Sequence, residues 1–405
     1  MNILHIPSWY PSENEPITGI FIQEQIALLA KHYPQHNFGV SLWGQQDYRL
    51  LLWAKDHVWN LKKMYQSQKI QSYTQEISPN CTIFFSPALT WSRKIFYGNR
   101  ANILQANLNN LQNFEKKFGK VDLIHAHVGF PAGYYAFRIA QKLGIPYVIT
   151  EQMSPFPFPY FERKNFRLYA PLAQAFAYSQ KNIAISPALL NRMAQFGIKN
   201  LTYIPNLTDE TFFYLPNKMP QNEQFTFFCL GRMVAQKGIP DLLQAFAIVL
   251  KYYPNCQLRI GGEGEMLKSY QQYAQKLGIS KHISWLGLLN RTNVRNEFWQ
   301  ADAFVLPSLH ETMGVVYAEA LACGVPVVAT LNGGAESVIN HNEHGYLSPV
   351  SDIQELAKNM ILMIQNRQKF YSQALRNYFL QRFASFAVCQ QIISVYEEVA
   401  HKHKR

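Results

Sequence analysis

Short apolar runs alternate with longer amphipathic segments along most of the chain. The runs predict strands, and the segments between them, with apolar positions three or four residues apart, predict helices. In the first half the predicted strands are 3–7, 38–42, 122–126, 146–150 and 183–185, and the predicted helices include 131–143 and 166–179. This alternation is typical of parallel sheets with crossover helices. Residues 44–115 fit the pattern least and predict an elaboration of the first domain.

The second half repeats the pattern more regularly. Its predicted strands are 225–230, 257–260, 283–286, 303–307 and 325–329, and its predicted helices are 239–253, 265–277, 315–322 and 352–364. Between the halves, the polar, proline-containing segment 216–224 is the best linker candidate. We predict an α/β protein with two Rossmann-like, doubly wound domains over 1–210 and 211–380. A helix and a basic tail over 381–405 are expected to pack back toward the first domain.

Composition limits the class of protein. With 405 residues and 48% hydrophobic positions, the chain is expected to fold into more than one globular domain. It does not begin with a basic segment followed by a long apolar one, and no apolar run reaches the roughly 18 residues that span a bilayer. The five cysteines are widely scattered, without Cys-x-x-Cys, and predict buried reduced side chains. A cytoplasmic protein is the expectation.

The net charge of +12 is unevenly distributed. Residues 49–120 contain eleven lysines or arginines against three acidic residues. The same stretch carries the aromatic residues Trp53, Trp59, Tyr65, Tyr73, Trp91, Phe96 and Tyr97. Such a mixture suits peripheral contact with an anionic membrane, and it equally suits a solvated basic face with aromatics turned into the core. Nucleic acid is a weaker third interpretation, because no recognisable nucleic-acid module accompanies the charge.

The loop after the strand 225–230 carries two cations. It reads Gly-Arg-Met-Val-Ala-Gln-Lys-Gly, so Arg232 and Lys237 come just before the next predicted helix. Two cations at this place suit the two phosphates of a diphosphate. Alone the pattern is weak, because cations in loops are usually only solvated.

A second loop, after the strand 303–307, carries two carboxylates. Glu311 precedes a predicted helix, Gly314 allows close approach at the helix start, and Glu319 lies about one turn inside it. The free amides at this helix N-terminus suit an anion. A carboxylate can accept two hydrogen bonds from neighbouring hydroxyls, as ribose offers. The alternative, a helix-dipole glutamate and a surface glutamate, is disfavoured by the apolar residues around Glu319.

Together these motifs resemble the family 4 retaining glycosyltransferases of the GT-B fold, also described as glycosyl transferases group 1. The similar motifs are Gly-Arg-x4-Lys-Gly at 231–238, Glu-x7-Glu-Ala-x3-Gly-x-Pro-Val-Val-Ala-Thr at 311–330 and Gly-Gly-x-Glu at 333–336. The opening His-Ile-Pro-Ser-Trp-Tyr-Pro-Ser, the segment Asp-x2-His-Ala-His at 122–127 and Ile-Pro-Asn at 204–206 also resemble the family. The resemblance covers nearly the whole chain.

The resemblance implies an acceptor-binding first domain and a nucleotide-sugar-binding second domain that face each other across a cleft. Arg232 and Lys237 would bind the donor diphosphate and stabilise the leaving group, and Glu311 would contact the transferred sugar. Glu319 would hold the ribose, and Gly19 would close over the phosphates. The amides around Glu311 would belong to Thr312, Met313, Gly314 and Val315.

The reaction implied by the resemblance moves a hexosyl group from a nucleotide diphosphate sugar, with a UDP-sugar favoured over a GDP-sugar. The acceptor would be lipid-linked or a cell-surface polysaccharide or lipopolysaccharide, reached at the inner face of the cell membrane. The acceptor hydroxyl would attack from the leaving group's side, with retention of configuration, while a donor phosphate oxygen takes its proton. No metal and no cofactor are expected, and the Asp-x-Asp of metal-dependent transferases is absent from the sequence.

Two positions depart from the family pattern. Met313 stands where a phenylalanine is commoner, and packing is expected to tolerate it. Gln152 stands after Thr-Glu where many relatives have a histidine, which puts a histidine contribution to proton handling in doubt. His127 is a further candidate cleft residue, with a satisfied structural histidine as the alternative. Two other functions stay open: another GT-B enzyme such as a nucleotide-sugar epimerase, and a non-catalytic sugar-nucleotide-binding protein. A nicotinamide dehydrogenase is disfavoured, because no strand opens directly into Gly-x-Gly-x-x-Gly.

Overall fold

The computed structural model describes residues 1–53, 56–91, 99–217 and 223–403. Two of the aromatic residues singled out above, Phe96 and Tyr97, lie outside this part of the chain, as do 218–222 of the expected linker and the last two residues of the basic tail. Two compact units are present. The first comprises Met1–Ile185, Leu189–Ile204 and Val388–Arg405, and the second comprises Ser186–Ala188 and Pro205–Ala387.

The division falls after residue 204 instead of 210, and the last segment changes unit at 388 instead of 381. Hydrogen bonds explain both differences. The Thr208 amide donates to the carbonyl of Phe383 over 2.9 Å. The Glu210 carboxylate accepts from the amide and the hydroxyl of Ser385, at 2.7 and 2.8 Å. Residues 205–210 and 381–387 are therefore tied to each other within the second unit.

The first unit is built on an eight-stranded sheet. Its strands are β1 (Asn2–Pro7), β2 (Asn37–Leu42), β4 (Tyr73–Ser78), β5 (Cys81–Phe85), β7 (Leu123–His127), β8 (Tyr147–Glu151), β11 (Lys181–Ala184) and β12 (Leu201–Tyr203). Two small two-stranded sheets pair β3 (Leu51–Leu52) with β6 (Thr90–Trp91), and β9 (Glu162–Arg163) with β10 (Arg167–Leu168). The main sheet runs in the order β12-β11-β8-β7-β1-β2-β5-β4. All its neighbours are parallel except β4 and β5, which are antiparallel.

The helices of the first unit are α1 (Ile20–His32), α2 (His57–Ser67), α3 (Arg100–Phe118), α4 (Tyr134–Leu143), α5 (Ala170–Ala177), and most of α6 (Pro187–Gln195) and α14 (Ser385–His403). Single turns of π- and 3-10 helix occupy Gly129–Gly133 and Pro159–Phe161. The predicted helix 166–179 is wrong at its start. Asn165 and Phe166 have φ angles of 58° and 52° and form the turn between β9 and β10, so α5 begins only at Ala170, with a proline in its first turn.

The segment 44–115 contains β3, α2, β4, β5, β6 and most of α3. The antiparallel hairpin β4-β5 extends the parallel sheet at one edge. This segment shows no clear period because two of its strands have only two residues each.

The second unit carries a six-stranded parallel sheet in the order β15-β14-β13-β16-β17-β18. The strands are β13 (Phe225–Leu230), β14 (Cys256–Gly261), β15 (Ile283–Gly287), β16 (Ala303–Leu306), β17 (Val327–Thr330) and β18 (Gly345–Ser348). The helices are α7 (Ile239–Tyr252), α8 (Leu267–Lys276), α9 (Arg291–Gln300), α10 (Val315–Ala322), α11 (Ala335–Val338), α12 (Ile353–Asn366) and α13 (Ser372–Arg382). Short 3-10 turns occupy Ala235–Lys237, Ser280–His282 and Arg367–Lys369.

Apolar side chains of the strands form the core of each unit. In the second unit Phe228, Phe298, Phe304 and Tyr317 are fully buried and meet edge to face. Phe227 is also fully buried and meets Phe246 edge to face. All five cysteines are buried and free, as expected. Both sheets therefore have the doubly wound architecture predicted from the alternation, with ligand-binding edges expected where the strand order reverses.

Candidate active site

The strand order of the second unit reverses between β13 and β16. These strands are adjacent and parallel, with Phe227 opposite Ala303 and Phe228 opposite Phe304. Their carboxyl ends therefore lie side by side, and so do the loops that follow them. One loop carries Arg232 and Lys237, and the other carries Glu311. The edge where ligands bind in doubly wound sheets thus brings together two motifs that are far apart in sequence.

Lys237 and Glu311 form an ion pair at this edge. The Lys237 Nζ lies 2.5 Å from Glu311 Oε1, although the two residues are 74 positions apart. Their side chains are 18% and 12% exposed, so the pair is largely shielded from water. The Ser308 hydroxyl donates a second hydrogen bond to the same carboxylate oxygen over 2.8 Å. The carboxylate and the ammonium group therefore hold each other in position at the edge of the sheet.

The start of helix α10 lies in the Glu311 loop. Gly314 is its N-cap, with φ of 75°, and neither an acidic residue in the first turn nor a side-chain cap satisfies the helix start among the described residues. A Cβ at Gly314 would come within 2.4 Å of the Tyr317 ring. Glycine is therefore required here, and the uncompensated N–H groups at the helix start remain suited to an anion.

A third loop supports the Glu311 loop. The Asn332 carbonyl accepts from the Glu311 amide over 3.0 Å, and the Asn332 side-chain oxygen accepts from the amides of Gly334 and Ala335 at 3.1 and 2.9 Å. A Cβ at Gly334 would lie 2.8 Å from Glu311 Cβ. The Gly-Gly-x-Glu motif therefore acts by letting two loops approach closely.

A buried tyrosine, Tyr317, lies near the Glu311 carboxylate. The Tyr317 hydroxyl donates to the Leu306 carbonyl over 3.2 Å and accepts from the Asn332 amide over 3.0 Å. Burial, followed by the nearby Glu311 carboxylate, raises the pKa of Tyr317 well above its ordinary value. The phenol therefore stays protonated and acts as a fixed hydrogen-bonding support. Ser308, Asn332 and Tyr317 were not singled out from the sequence; their positions just after strands or inside a helix were the only available signal.

The remaining predicted donor residues lie around this edge. Arg232 is exposed on the β13 loop. Thr312 and Val315 are half-buried, and Met313 is buried, with its sulfur accepting from the Asn206 amide over 3.2 Å. Glu319 is half-buried in the second turn of α10. The structure thus brings together Lys237, Glu311 and the helix start directly, with Arg232 on the same loop as Lys237 and Glu319 farther along the same helix.

The first unit has its own reversal, between β1 and β7. Pro7 lies opposite His127, and the loop after β1 leads to Gly19, the N-cap of α1. Gly19 has φ of 79°, and a Cβ there would lie 2.5 Å from the Trp9 carbonyl carbon. This close approach explains why position 19 is a glycine. Its predicted contact with donor phosphates stays a prediction.

Gln152 follows the neighbouring strand β8. Its side chain is 6% exposed, and neither its amide oxygen nor its amide nitrogen has a hydrogen-bond partner among the described residues. Leaving such groups buried and unpaired costs about 1–3 kcal/mol. A ligand hydroxyl would satisfy them, so this side chain is a candidate for substrate contact.

The residue before it, Glu151, is fully buried and was missed by the sequence analysis. Its carboxylate accepts from the amides of Gly129, Gln152 and Met153, at 2.9, 2.7 and 2.7 Å. Burial raises its pKa to about 7, and these hydrogen bonds partly offset the effect of burial. Glu151 therefore ties the turn after β7 to the turn that carries Gln152.

His127 belongs to a cluster of three buried histidines with His5 and His125. His5 Nδ1 lies 3.0 Å from His127 Nε2, and His125 contacts the Tyr396 hydroxyl and the Thr150 hydroxyl at 2.5 and 2.7 Å. Burial lowers the pKa of all three, that of His127 to about 3. The three rings are close enough to share one cation, but both nitrogens of His125 already have hydrogen-bond partners. These contacts favour a structural role, the alternative considered for His127 above.

Two units with doubly wound parallel sheets define the class of fold, an α/β protein. In the second unit, Lys237, Glu311 and the start of α10 lie at the reversal of strand order. Comparison with known families gives the class. Residues 85–212 match the model of glycosyltransferase family 4, and residues 214–379 match the model of glycosyl transferases group 1.

Individual relatives agree with this class. The alpha-monoglucosyldiacylglycerol synthase of Acholeplasma laidlawii is 26% identical over 270 residues, which cover 61% of this chain and 67% of that protein. The sucrose-phosphate synthase of Thermosynechococcus elongatus has a similar fold, with a TM-score of 0.72, 18% identity and coverage of 98% of each chain. Anabaena HepE in complex with UDP-glucose has a TM-score of 0.67 and 20% identity, covering 98% of this chain and 100% of HepE.

The chain therefore belongs to the family 4 glycosyltransferases and has the GT-B fold. The fold class and the family predicted from the motifs are confirmed, and the protein is a transferase enzyme. None of the helices in the described part of the chain combines the length and the apolar character needed to cross a membrane.

Proposed function

We propose that this enzyme transfers a hexosyl group from a nucleotide diphosphate sugar, with retention of configuration, to a lipid-linked or cell-surface glycan acceptor. The bond between the sugar's anomeric carbon and the donor phosphate breaks, and a bond to the acceptor oxygen forms on the same face. The acceptor proton passes to the departing phosphate oxygen. Three elements of the second unit support this chemistry: Lys237, Glu311 and the start of α10.

The Lys237–Glu311 pair carries the proposal. Lys237 and the exposed Arg232 would neutralise the charge that develops on the departing diphosphate, and the α10 amides would assist them. Glu311 would accept hydrogen bonds from hydroxyls of the transferred sugar while Lys237 and Ser308 hold its carboxylate in place. Because these groups supply the positive charge themselves, we propose a metal-independent reaction. Activity retained in excess chelator is the expected result.

We propose a UDP-sugar as the donor in preference to a GDP-sugar, with Glu319 accepting hydrogen bonds from the ribose hydroxyls. Anabaena HepE, which shares the fold, forms complexes with UDP and UDP-glucose. Because HepE is only 20% identical to this chain, its complexes serve as a guide to the nucleotides to be tried first.

We propose a lipid-linked acceptor because relatives include an alpha-monoglucosyldiacylglycerol synthase. Such an acceptor places the reaction at a membrane surface, and the inner face of the cell membrane is the proposed location. In the first unit, the Gln152 side-chain amide has no hydrogen-bond partner in the described part of the chain, and it is proposed to hydrogen-bond a hydroxyl of the substrate.

The test compares Lys237→Ala with Lys358→Ala. Lys358 also pairs with a glutamate, Glu355, but on the exposed surface of α12. Lys237→Ala is expected to lower acceptor-dependent nucleotide release by at least about a hundredfold, the usual effect of losing a transition-state charge contact. Lys358→Ala is expected to be neutral. Wild-type rates in Lys237→Ala would contradict the site assignment.

Thermal shift with a panel of UDP- and GDP-sugars identifies the donor, since a ligand at a hundred times its Kd stabilises a fold by about 2.7 kcal/mol. Glu319→Ala is expected to abolish the shift.

A nucleotide-release assay with and without acceptor separates the alternative functions. Release that depends on the acceptor supports the transferase. Donor turnover without acceptor would indicate an epimerase, and donor binding without turnover would indicate a non-catalytic protein.

A further inference from the structure

Helix α2 turns two polar side chains, those of Asn60 and Lys63, toward the protein. Asn60 is 7% exposed, and its side-chain amide exchanges hydrogen bonds with the backbone of Trp53 at 3.0 and 2.6 Å. One turn further on, the Lys63 Nζ donates to the carbonyl of Leu51 over 2.9 Å. These contacts fix which side of the helix faces inward, and that side is hydrophilic.

The outer side of α2 is apolar. Val58, Leu61 and Tyr65 recur at helical spacing and are 79%, 68% and 66% exposed. Beside them Trp59 is 61% exposed and Met64 is 43% exposed. Helices on the surface of a globular protein normally show the opposite arrangement, with the apolar stripe toward the core. A contiguous apolar surface of this kind marks an interaction site.

Lysines border the apolar surface. Lys62 lies over the Trp59 ring with its Nζ 5.1 Å from the ring centroid, and the Lys69 Nζ lies 5.4 Å from the Tyr65 ring. No acidic residue occurs between 57 and 72, and the sequence 49–120 has eleven basic residues against three acidic ones. The positive charge of Lys62 and Lys69 beside the apolar side chains therefore complements an anionic partner.

We propose that α2 is a membrane-docking helix that lies in the interface of an anionic lipid bilayer. Val58, Leu61 and Tyr65 would enter the boundary between headgroups and acyl chains, with Trp59 at headgroup level. The lysines would contact lipid phosphates, as basic side chains beside apolar anchors do. The lipid surface is favoured over a protein partner because tryptophan, tyrosine and lysine together match the layered polarity of a bilayer interface.

The docking helix adds a partner surface to the proposed function, since a lipid-linked acceptor has to be met at a membrane. It lies in the first unit, outside the donor site of the second unit. Loss of membrane binding and loss of donor binding can therefore be measured separately.

The test is co-sedimentation of the full-length chain, without donor, with vesicles of phosphatidylcholine alone or mixed with phosphatidylglycerol. Tyr65→Glu and the double variant Lys62→Glu/Lys69→Glu are each expected to weaken binding to the anionic vesicles by at least about tenfold. Tyr252→Glu is the matched control, because Tyr252 is 68% exposed at the end of α7 and follows Lys251. This control is expected to bind like the wild type.

Wild-type binding is expected to need the anionic lipid and to weaken at high salt. Equal binding by Tyr65→Glu and wild type would overturn the proposal. The proposal would also be overturned if the wild type bound no vesicles and self-associated instead, with Tyr65→Glu abolishing the self-association. That result would assign the surface to a second copy of the chain. Lys237→Ala is expected to bind vesicles normally, and Tyr65→Glu to keep its thermal shift with UDP-glucose, so the two proposals fail independently.

Discussion

Single buried polar side chains in this protein are held in two different ways. In the second unit, Glu311 is held by Lys237 and Ser308, which contact the same carboxylate oxygen. In the first unit, the histidines at positions 5, 125 and 127 are packed against one another, and burial holds them neutral. A paired charge suits ligand binding, whereas a cluster of buried neutral histidines makes the stability of the fold depend on pH.

We expect acid to destabilise the first unit through these histidines. Folding lowers their pKa values, that of His127 from 6.5 to about 3. Between these two pH values the unfolded state therefore binds a proton at His127 that the folded state does not bind. Each histidine then removes up to about 1.4 kcal/mol of stability per pH unit as the pH falls. The measurement is the free energy of unfolding by denaturant as a function of pH, in which His127→Asn should reduce the slope.

Glu151 titrates in the opposite sense. Its pKa is raised from 4.5 to about 7, so its contribution to stability is present below pH 4.5 and is lost as the pH rises to about 7. Glu151→Gln removes this contribution, and stability is then expected to fall more steeply on acidification than in the wild type. An unchanged slope in both variants would show that neither the histidines nor Glu151 govern the acid response.

At the level of secondary structure elements, the start of α10 depends on a backbone conformation that glycine adopts readily. Gly314 combines φ of 75° with a close approach to the Tyr317 ring. The predicted helix 315–322 agrees with the observed bounds of α10, Val315–Ala322.

Gly314→Ala is expected to displace the start of α10 and to abolish the thermal shift produced by UDP-glucose. Gly278→Ala is the matched control: Gly278 has φ of 71°, but its Cβ would meet nothing within 4 Å. Both variants should lose about 1 kcal/mol or more through the positive φ, and only Gly314→Ala should lose the ligand response. Loss of the response in both would mean that backbone strain alone is responsible.

At the scale of the whole molecule, the chain returns to its first unit at the end. Residues from Val388 onward belong to that unit, where Tyr396 is fully buried and contacts His125, 271 positions earlier. The side chains of Val388, Ile392 and Val399 are also buried. The last helix is thus part of the core of the unit formed by the beginning of the chain.

Truncation after Ala387 is expected to unfold or strongly destabilise the first unit, because it uncovers the histidine cluster and removes several buried apolar side chains, each worth about 2–5 kcal/mol. Deletion of residues 401–405 is the control, since 401–403 are exposed. Thermal unfolding and limited proteolysis report the outcome. Equal melting temperatures for the truncated and full-length chains would show that α14 contributes nothing to stability.

The alternation of apolar and polar positions was sufficient to predict most strands, the doubly wound class and the loops that carry Lys237 and Glu311. These features depend on spacing within a few residues, which is visible in a sequence. The start of α5 and the strands within 44–115 were not predictable in this way, because turns at Asn165 and Phe166 and very short strands leave no clear period.

Strand order decided the rest. The Lys237–Glu311 pair exists because β13 and β16 are neighbours, and the contact between His125 and Tyr396 exists because the last helix packs on the first unit. The sequence identified Trp59 and Tyr65 beside lysines but left their direction open. In the structure, the hydrogen bonds of Asn60 to Trp53 and of Lys63 to Leu51 hold the polar side of α2 inward, and the apolar side is exposed. Periodicity identifies a helix and its two faces, whereas the partners it meets in three dimensions decide which face is buried.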